Sequence, residues 1–103
     1  MLRISVTRTE GGALVTLSGR LTIDSSPALR DRLLAILQRE TLQDLTVDLL
    51  DVPYMDLSGV ATLLEILKVA RSRNTSLQLK GLHDRPLYLL EVTGLLPLFE
   101  PVA

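Results

Sequence analysis

Polar and apolar residues alternate along two short segments near the start of the chain. The segments from Leu2 to Thr9 and from Ala13 to Ser18 each place one set of alternate residues on an apolar face. A period of two predicts half-buried strands, and Gly11-Gly12 between the segments predicts a tight turn. We therefore expect the chain to open with a β-hairpin.

Helical spacing replaces this alternation after Ser25-Ser26-Pro27. The apolar positions then recur every three or four residues, at Leu29, Leu33, Ile36 and Leu37. This period predicts an amphipathic helix that runs to about Glu40. Ser26 is suited to be its N-cap, with Pro27 at the first helical position, where a missing N–H costs nothing.

The middle of the chain predicts a strand followed by a second helix. Leu45–Leu50 is β-branched and apolar, and we expect Pro53 to end this strand. Helical periodicity resumes at Val60 and fades near Asn74, where arginines suit the negative end of a helix. A hydroxyl or carboxylate just before Val60 is expected to cap this helix, with Ser58 or Asp56 in that role.

The last third of the chain predicts a strand, a short helix and a tail. Ser76–Lys80 alternates and is followed by Gly81, and Asp84 can cap a helix that continues to Val92. Gly94 suits the position after that helix. The tail, 95–102, is expected to add a short strand around Phe99.

This order of elements predicts an α/β fold. After the hairpin, helices alternate with strands, which implies right-handed crossovers and a mixed, mostly parallel sheet. The alternating pattern of the hairpin strands predicts that one face of the sheet is solvated, so the helices should pack mainly on the other face. With 103 residues, we expect a single domain that spans 1–103.

Composition excludes several classes of function. The 11 basic and 12 acidic side chains give a net charge of −1, with no basic stripe that would bind nucleic acid. The chain has no Cys and no apolar run near the ~20 residues of a membrane span. We expect a cytoplasmic protein without a signal peptide and without direct insertion into a membrane.

Residues for catalysis or metal binding are sparse. His83 is the only histidine, and we interpret it as a solvated loop residue. Four acids form a loose cluster without the spacing of a metal loop, and we interpret them as strand-end and capping residues: Asp44, Asp48, Asp51 and Asp56. We therefore expect a binding protein that has no catalytic residues, no metal site and no cofactor.

One segment identifies a family. The run Val52-Pro53-Tyr54-Met55-Asp56-Leu57-Ser58-Gly59-Val60-Ala61-Thr62-Leu63-Leu64 resembles the signature of STAS domains, the anti-sigma factor antagonist family. Leu45-Thr46-Val47-Asp48-Leu49 looks like the central strand of that family, and the passage from Gly19 to Leu29 resembles its early strand-to-helix connection. The likeness extends from about Ala13 to Gly94 and implies a STAS-like fold.

The resemblance also implies a function. Typical members bind an anti-sigma factor that is also a serine kinase, which phosphorylates the Ser or Thr after the motif Asp and thereby separates the two proteins. Here the acceptor position holds Leu57, and Ser58 matches the second hydroxyl of the motif. Thr22 stands where the family often carries an Asp. We therefore expect that Ser58, the one candidate phosphosite, caps the helix and is not a regulatory site.

Two partners follow from the resemblance. The first hypothesis is an antagonist-like module that binds a serine-kinase anti-sigma factor, without the usual phosphoswitch. The alternative is a small STAS subunit of an ABC-type lipid transporter that binds its ATPase, and the oligomeric state stays open. In either case the expected binding residues are Tyr54, Met55, Asp56, Leu57, Ser58, Gly59 and Val60. We predict that Leu57, Tyr54, Met55 and Val60 form an exposed apolar patch, against the alternative that Leu57 folds into the core.

Overall fold

The computed structural model describes residues 1–99 and has the predicted α/β architecture. The strands are β1 (Arg3–Thr9), β2 (Gly12–Leu21), β3 (Asp44–Met55) and β4 (Ser76–Lys80). The helices are α1 (Ser26–Arg39), α2 (Leu57–Ser72) and α3 (Asp84–Val92), followed by a short 3₁₀ helix (Leu96–Phe99).

The four strands form one mixed sheet in the order β1-β2-β3-β4. β1 pairs antiparallel with β2, as the hairpin prediction requires, while β2–β3 and β3–β4 are parallel. The two parallel pairs follow from the helical crossovers, because a helix between two strands returns the chain in the same direction.

The helices cover one face of this sheet. On that face the central strands bury Ala13, Val15 and Leu17 of β2 and Leu45, Val47 and Leu49 of β3, each at 1% exposure or less. The intervening residues, such as Thr16 and Asp48, stay half-buried on the opposite face. α1 packs against α2, and Leu29, Leu33 and Leu63 complete the core between them. The predicted one-sided packing is therefore confirmed.

The prediction that Pro53 ends the third strand is wrong. β3 continues through Pro53 to Met55, and it does so by bulging. Between the pairs Thr16–Asp48, Ser18–Asp51 and Arg20–Tyr54, β2 advances by two residues each time and β3 by three. Pro53 is tolerated there because a bulge does not need every backbone N–H. The edge of β3 that faces β4 is also unpaired at Pro53, since β4 pairs with β3 only as far as Asp48.

Three details at the element ends also differ from expectation. The N-cap of α1 is Ser25 and not Ser26, whose hydroxyl instead bonds to the carbonyl of Thr22. α3 has His83 at its N-cap position, and Asp84 is its first residue. A 3₁₀ turn replaces the predicted strand around Phe99, whose ring fills the core. The part of that predicted tail from residue 100 onwards lies outside the described residues.

Candidate functional site

The motif Asp56-Leu57-Ser58-Gly59 lies where β3 ends and α2 begins. Asp56 is the N-cap, in an extended conformation, and its Oδ1 accepts the backbone N–H groups of Ser58 at 2.9 Å and Gly59 at 3.3 Å. These bonds satisfy two of the donors that every helix start leaves unpaired. Asp56 therefore takes the capping role, and the prediction that Ser58 caps α2 is wrong.

The second oxygen of Asp56 ties α2 to the loop between β2 and α1. Oδ2 accepts the N–H of Ile23 at 3.1 Å, while the Asp56 N–H donates to the carbonyl of Leu21 at 3.1 Å. The hydroxyl of Ser58, followed by the N–H groups of Ile23 and Gly59, lowers the pKa of Asp56 below its ordinary value. The carboxylate is therefore ionised at neutral pH, and both of its oxygens accept hydrogen bonds from within the chain.

Serine hydroxyls extend this network across the starts of both long helices. The Ser58 hydroxyl donates to Oδ1 of Asp56, and its Oγ lies 2.9 Å from the Oγ of Ser26. Ser26 is buried, and its hydroxyl also lies 2.7 Å from the carbonyl of Thr22. The single proton of the Ser58 hydroxyl is therefore used inside the molecule, and Ser58 itself is half-buried.

The predicted binding residues divide into an exposed and a buried set. Leu57 is 62% exposed, while Met55 and Val60 are 0% and 4% exposed. The predicted patch is therefore wrong for Met55 and Val60. Met55 ends β3 on its core face, and Val60 is among the buried residues of α2. Gly59 is buried, and a Cβ there would lie 2.6 Å from Cγ of Met55.

Ile23, the apolar neighbour of Leu57, was not among the predicted binding residues. Ile23 is 72% exposed in the loop before α1. It lines an open groove of about 370 Å³ together with Asp56, Leu57, Ser58, Arg85 and Leu89. An isoleucine among the polar residues of a loop was the available signal, because such a residue has no periodic role in a strand or helix.

Tyr54 lies beside this groove under an arginine. The guanidinium carbon of Arg20 is 4.3 Å from the centre of the Tyr54 ring, within the range of a cation–π interaction. Arg85 approaches both Tyr54, at 5.9 Å, and Tyr88, at 5.7 Å. The edge of the groove is therefore cationic and aromatic, and its lining combines apolar side chains with Asp56 and Ser58.

His83 lies in the loop before α3, as interpreted above, with a side chain that is 35% exposed, and its contacts also anchor the start of α3. Its Nδ1 lies 2.9 Å from Oδ2 of Asp84, and its Nε2 lies 2.7 Å from the carbonyl oxygen of Leu50. The Asp84 carboxylate, followed by the Leu50 carbonyl, raises the pKa of His83, because both neighbours accept hydrogen bonds from the protonated ring and so favour its charged form.

Within residues 1–99 no three His, Asp or Glu side chains converge as a metal site. Among the acids considered for such a site, Asp48 accepts the N–H of Leu50 at 3.0 Å, and Asp56 is the helix cap. No helix in the described part of the chain combines the length and the apolar composition needed to cross a membrane.

Known proteins resemble this chain over nearly its whole length. The family model described as "Mlab, STAS domain" matches residues 4–99. The anti-sigma-B factor antagonist of Bacillus subtilis (strain 168) is 30% identical over 94 residues, which cover 91% of this chain and 84% of that protein.

Solved structures share the fold. An anti-sigma factor antagonist from Mycobacterium paratuberculosis superimposes with a TM-score of 0.82 at 19% identity, over 96% of this chain and 83% of that one. The phosphorylated form of the Bacillus cell fate determinant SpoIIAA gives a TM-score of 0.76 at 15% identity, over 98% of this chain and 92% of that one. The predicted family and fold are confirmed: this chain belongs to the STAS domain family.

Proposed function

We propose that this protein is an anti-sigma factor antagonist-like module, which regulates by binding a serine-kinase anti-sigma factor and does not catalyse a reaction. The observation that carries the proposal is Leu57, an exposed apolar residue at the start of α2 in a chain related to anti-sigma-B factor antagonists. It would act in the cytoplasm, where such a kinase and its sigma factor operate.

The binding surface is the exposed part of the motif together with Ile23. Leu57 and Ile23 flank one groove, and each would contribute roughly 1 to 2 kcal/mol when a partner removes it from water. Tyr54 lies at the edge of this surface. Three buried residues support this surface without touching the partner, because their packing holds the start of α2 in place: Met55, Gly59 and Val60.

We further propose that the protein works without the usual phosphoswitch. Leu57 offers no hydroxyl, and the hydroxyl of Ser58 is already bonded to Asp56 and close to Ser26. A phosphate on Ser58 would add about −1.5 to −2 charges next to an ionised carboxylate. That repulsion would also break the cap of α2, so phosphorylation would cost helix stability here.

A second candidate function is supported by the same residue. In a STAS subunit of an ABC-type lipid transporter, the partner ATPase never has to be released. Leu57, which cannot be phosphorylated and stays apolar, suits such a permanent contact. The two candidates share the binding surface and differ in the class of partner.

Binding of purified serine-kinase anti-sigma factors from the source organism tests the proposal, with the Kd measured by calorimetry. Leu57→Glu should weaken binding on the order of tenfold or more, because a charge replaces an apolar contact. Leu50→Glu is the matched control. Leu50 is 61% exposed, much like Leu57, but it lies on β3 outside the groove.

Equal affinity of the wild type and Leu57→Glu would overturn the proposed surface. If none of the kinases binds but the ATPase of a lipid transporter does, and Leu57→Glu weakens that complex, the second candidate replaces the first.

A further inference from the structure

Both tyrosines of the chain lie in one surface cluster with two arginines. The chain has two Tyr, one Phe and no Trp, and Phe99 is buried in the core. All aromatic surface offered by residues 1–99 is therefore concentrated at Tyr54 and Tyr88, beside Arg20 and Arg85. Tyr and Arg are the residue types that most often dominate the energy of protein interfaces.

Arg85 joins this cluster to the apolar groove. Its side chain lines the groove with Ile23, Leu57 and Leu89, and its guanidinium lies within 6 Å of both tyrosine rings. A ligand that fills the groove therefore meets a cationic group at its edge.

The two guanidinium groups keep their hydrogen-bonding capacity for a ligand. Among residues 1–99, neither Arg20 nor Arg85 has a carboxylate oxygen within 4.0 Å. Two of the nearby acids have other partners, since Asp56 caps α2 and Asp84 pairs with His83, and Asp24, which shares a cavity with Arg20, forms no ion pair with it. An arginine stacked on an aromatic ring still presents its N–H edge, which fits a carboxylate in a bidentate geometry.

We propose that the occupant of this surface is an acidic segment of the partner protein, which places an apolar side chain between Ile23 and Leu57 and carboxylates against Arg85 and Arg20. This inference rests on the proposed function and specifies the chemistry of the partner. The groove favours a peptide over a phosphate ligand, because Ile23, Leu57 and Leu89 offer apolar contact and the Asp56 carboxylate in the same lining repels a free anion.

Charge reversal on the full chain tests the inference, with the purified serine-kinase anti-sigma factors as probe. The double variant Arg20→Glu/Arg85→Glu should lower affinity by about tenfold or more at low salt, mainly through slower association. This loss should shrink as the salt concentration rises to about 0.5 M, because exposed charges are screened. Arg73→Glu is the control, since Arg73 is exposed and lies at the opposite end of α2.

The outcomes separate the two claims. If Leu57→Glu weakens kinase binding and the double arginine variant does not, the inference is overturned while the proposed function stands. If the double variant loses affinity to the same extent at every salt concentration, the charge complementarity is also overturned.

A second measurement does not need the kinase. A random peptide library is selected against the full chain and against Arg20→Glu/Arg85→Glu. Peptides that carry Asp or Glu around Leu, Ile or Phe, and that bind only the wild type, are the expected result. Selected peptides without acidic enrichment would overturn the inference, and so would displacement of the bound peptides by ATP or inorganic phosphate at millimolar concentration.

Discussion

The two helix starts that flank the groove are held by different chemistry. α2 begins with the carboxylate of Asp56, which bonds to backbone N–H groups, whereas the side chain of His83 makes no cap for α3 and instead bridges Asp84 and Leu50. A carboxylate keeps its charge throughout the neutral range, while an imidazole changes charge near neutral pH. The charge of Asp56, which holds the Leu57 side of the surface, therefore stays constant near neutral pH. The charge of His83, which holds the Arg85 side, changes with pH.

Removing the Asp56 side chain should have the largest effect on stability. Asp56→Ala deletes the cap of α2 and the bond to the Ile23 N–H. We expect the free energy of unfolding to fall by about 1 to 2 kcal/mol, the usual cost of losing a side-chain cap. Urea unfolding at pH 7 measures it.

Acid should reduce the difference in unfolding free energy between the wild type and Asp56→Ala. The lowered pKa of Asp56 means that its stabilisation is complete above its ordinary pKa of about 4 and is lost as the pH falls through the lower value of the folded state. The gap between the wild type and Asp56→Ala should shrink below about pH 4. A gap that persists undiminished in acid would mean that the ionised form of Asp56 is not what stabilises α2.

The stabilisation that His83 contributes should show the opposite dependence on pH. The raised pKa of His83 means that its stabilisation is complete below its ordinary pKa of about 6.5 and is lost as the pH rises through the higher folded value. The groups that face the ring are Asp84 and the Leu50 carbonyl, with Asp51 contributing at longer range.

The comparison with His83→Gln isolates this dependence. The wild type should exceed His83→Gln in unfolding free energy at about pH 5.5, and the difference should fall at about pH 8.5. NMR titration of the His83 ring gives its pKa directly. A ring pKa at or below 6.5 would contradict the proposed bridge between α3 and β3.

The smallest expected effect on stability belongs to the residue with the largest expected effect on binding. Leu57 is mostly exposed, so Leu57→Glu should change the free energy of unfolding by no more than about 0.5 kcal/mol. A negative charge in the first turn of α2 even suits the helix dipole. Thermal unfolding checks this, and a clear loss of stability would show that Leu57 is part of the core.

Periodicity predicted the fold because its signals are local. The alternation in β1 and the spacing of Leu29 and Leu33 in α1 each required only neighbouring residues. Pro53 was misleading because its tolerance depends on two bulges and on the short reach of β4, which are features of strand pairing. A short strand was expected around Phe99, where no periodic pattern supports one, and the structure places this residue in a 3₁₀ turn.

The site was predictable only as a stretch of sequence. The motif located the start of α2, but not which of its residues face the solvent, since Leu57 is exposed and Met55, two residues earlier, is buried. Ile23 and Arg85 come from loops and helices distant in the chain, and no local pattern joins them to Leu57. The anchor role of His83 likewise depends on the carbonyl of Leu50, which lies 33 residues away.

The central claim is that this protein binds a serine-kinase anti-sigma factor through Leu57 and is not switched by phosphorylation. Incubating the purified protein with the kinase and Mg·ATP, followed by intact-mass analysis and gel filtration, tests this claim most directly. We expect the complex to persist and the mass of the protein to stay unchanged. A stoichiometric phosphate on Ser58, together with dissociation of the complex, would contradict it.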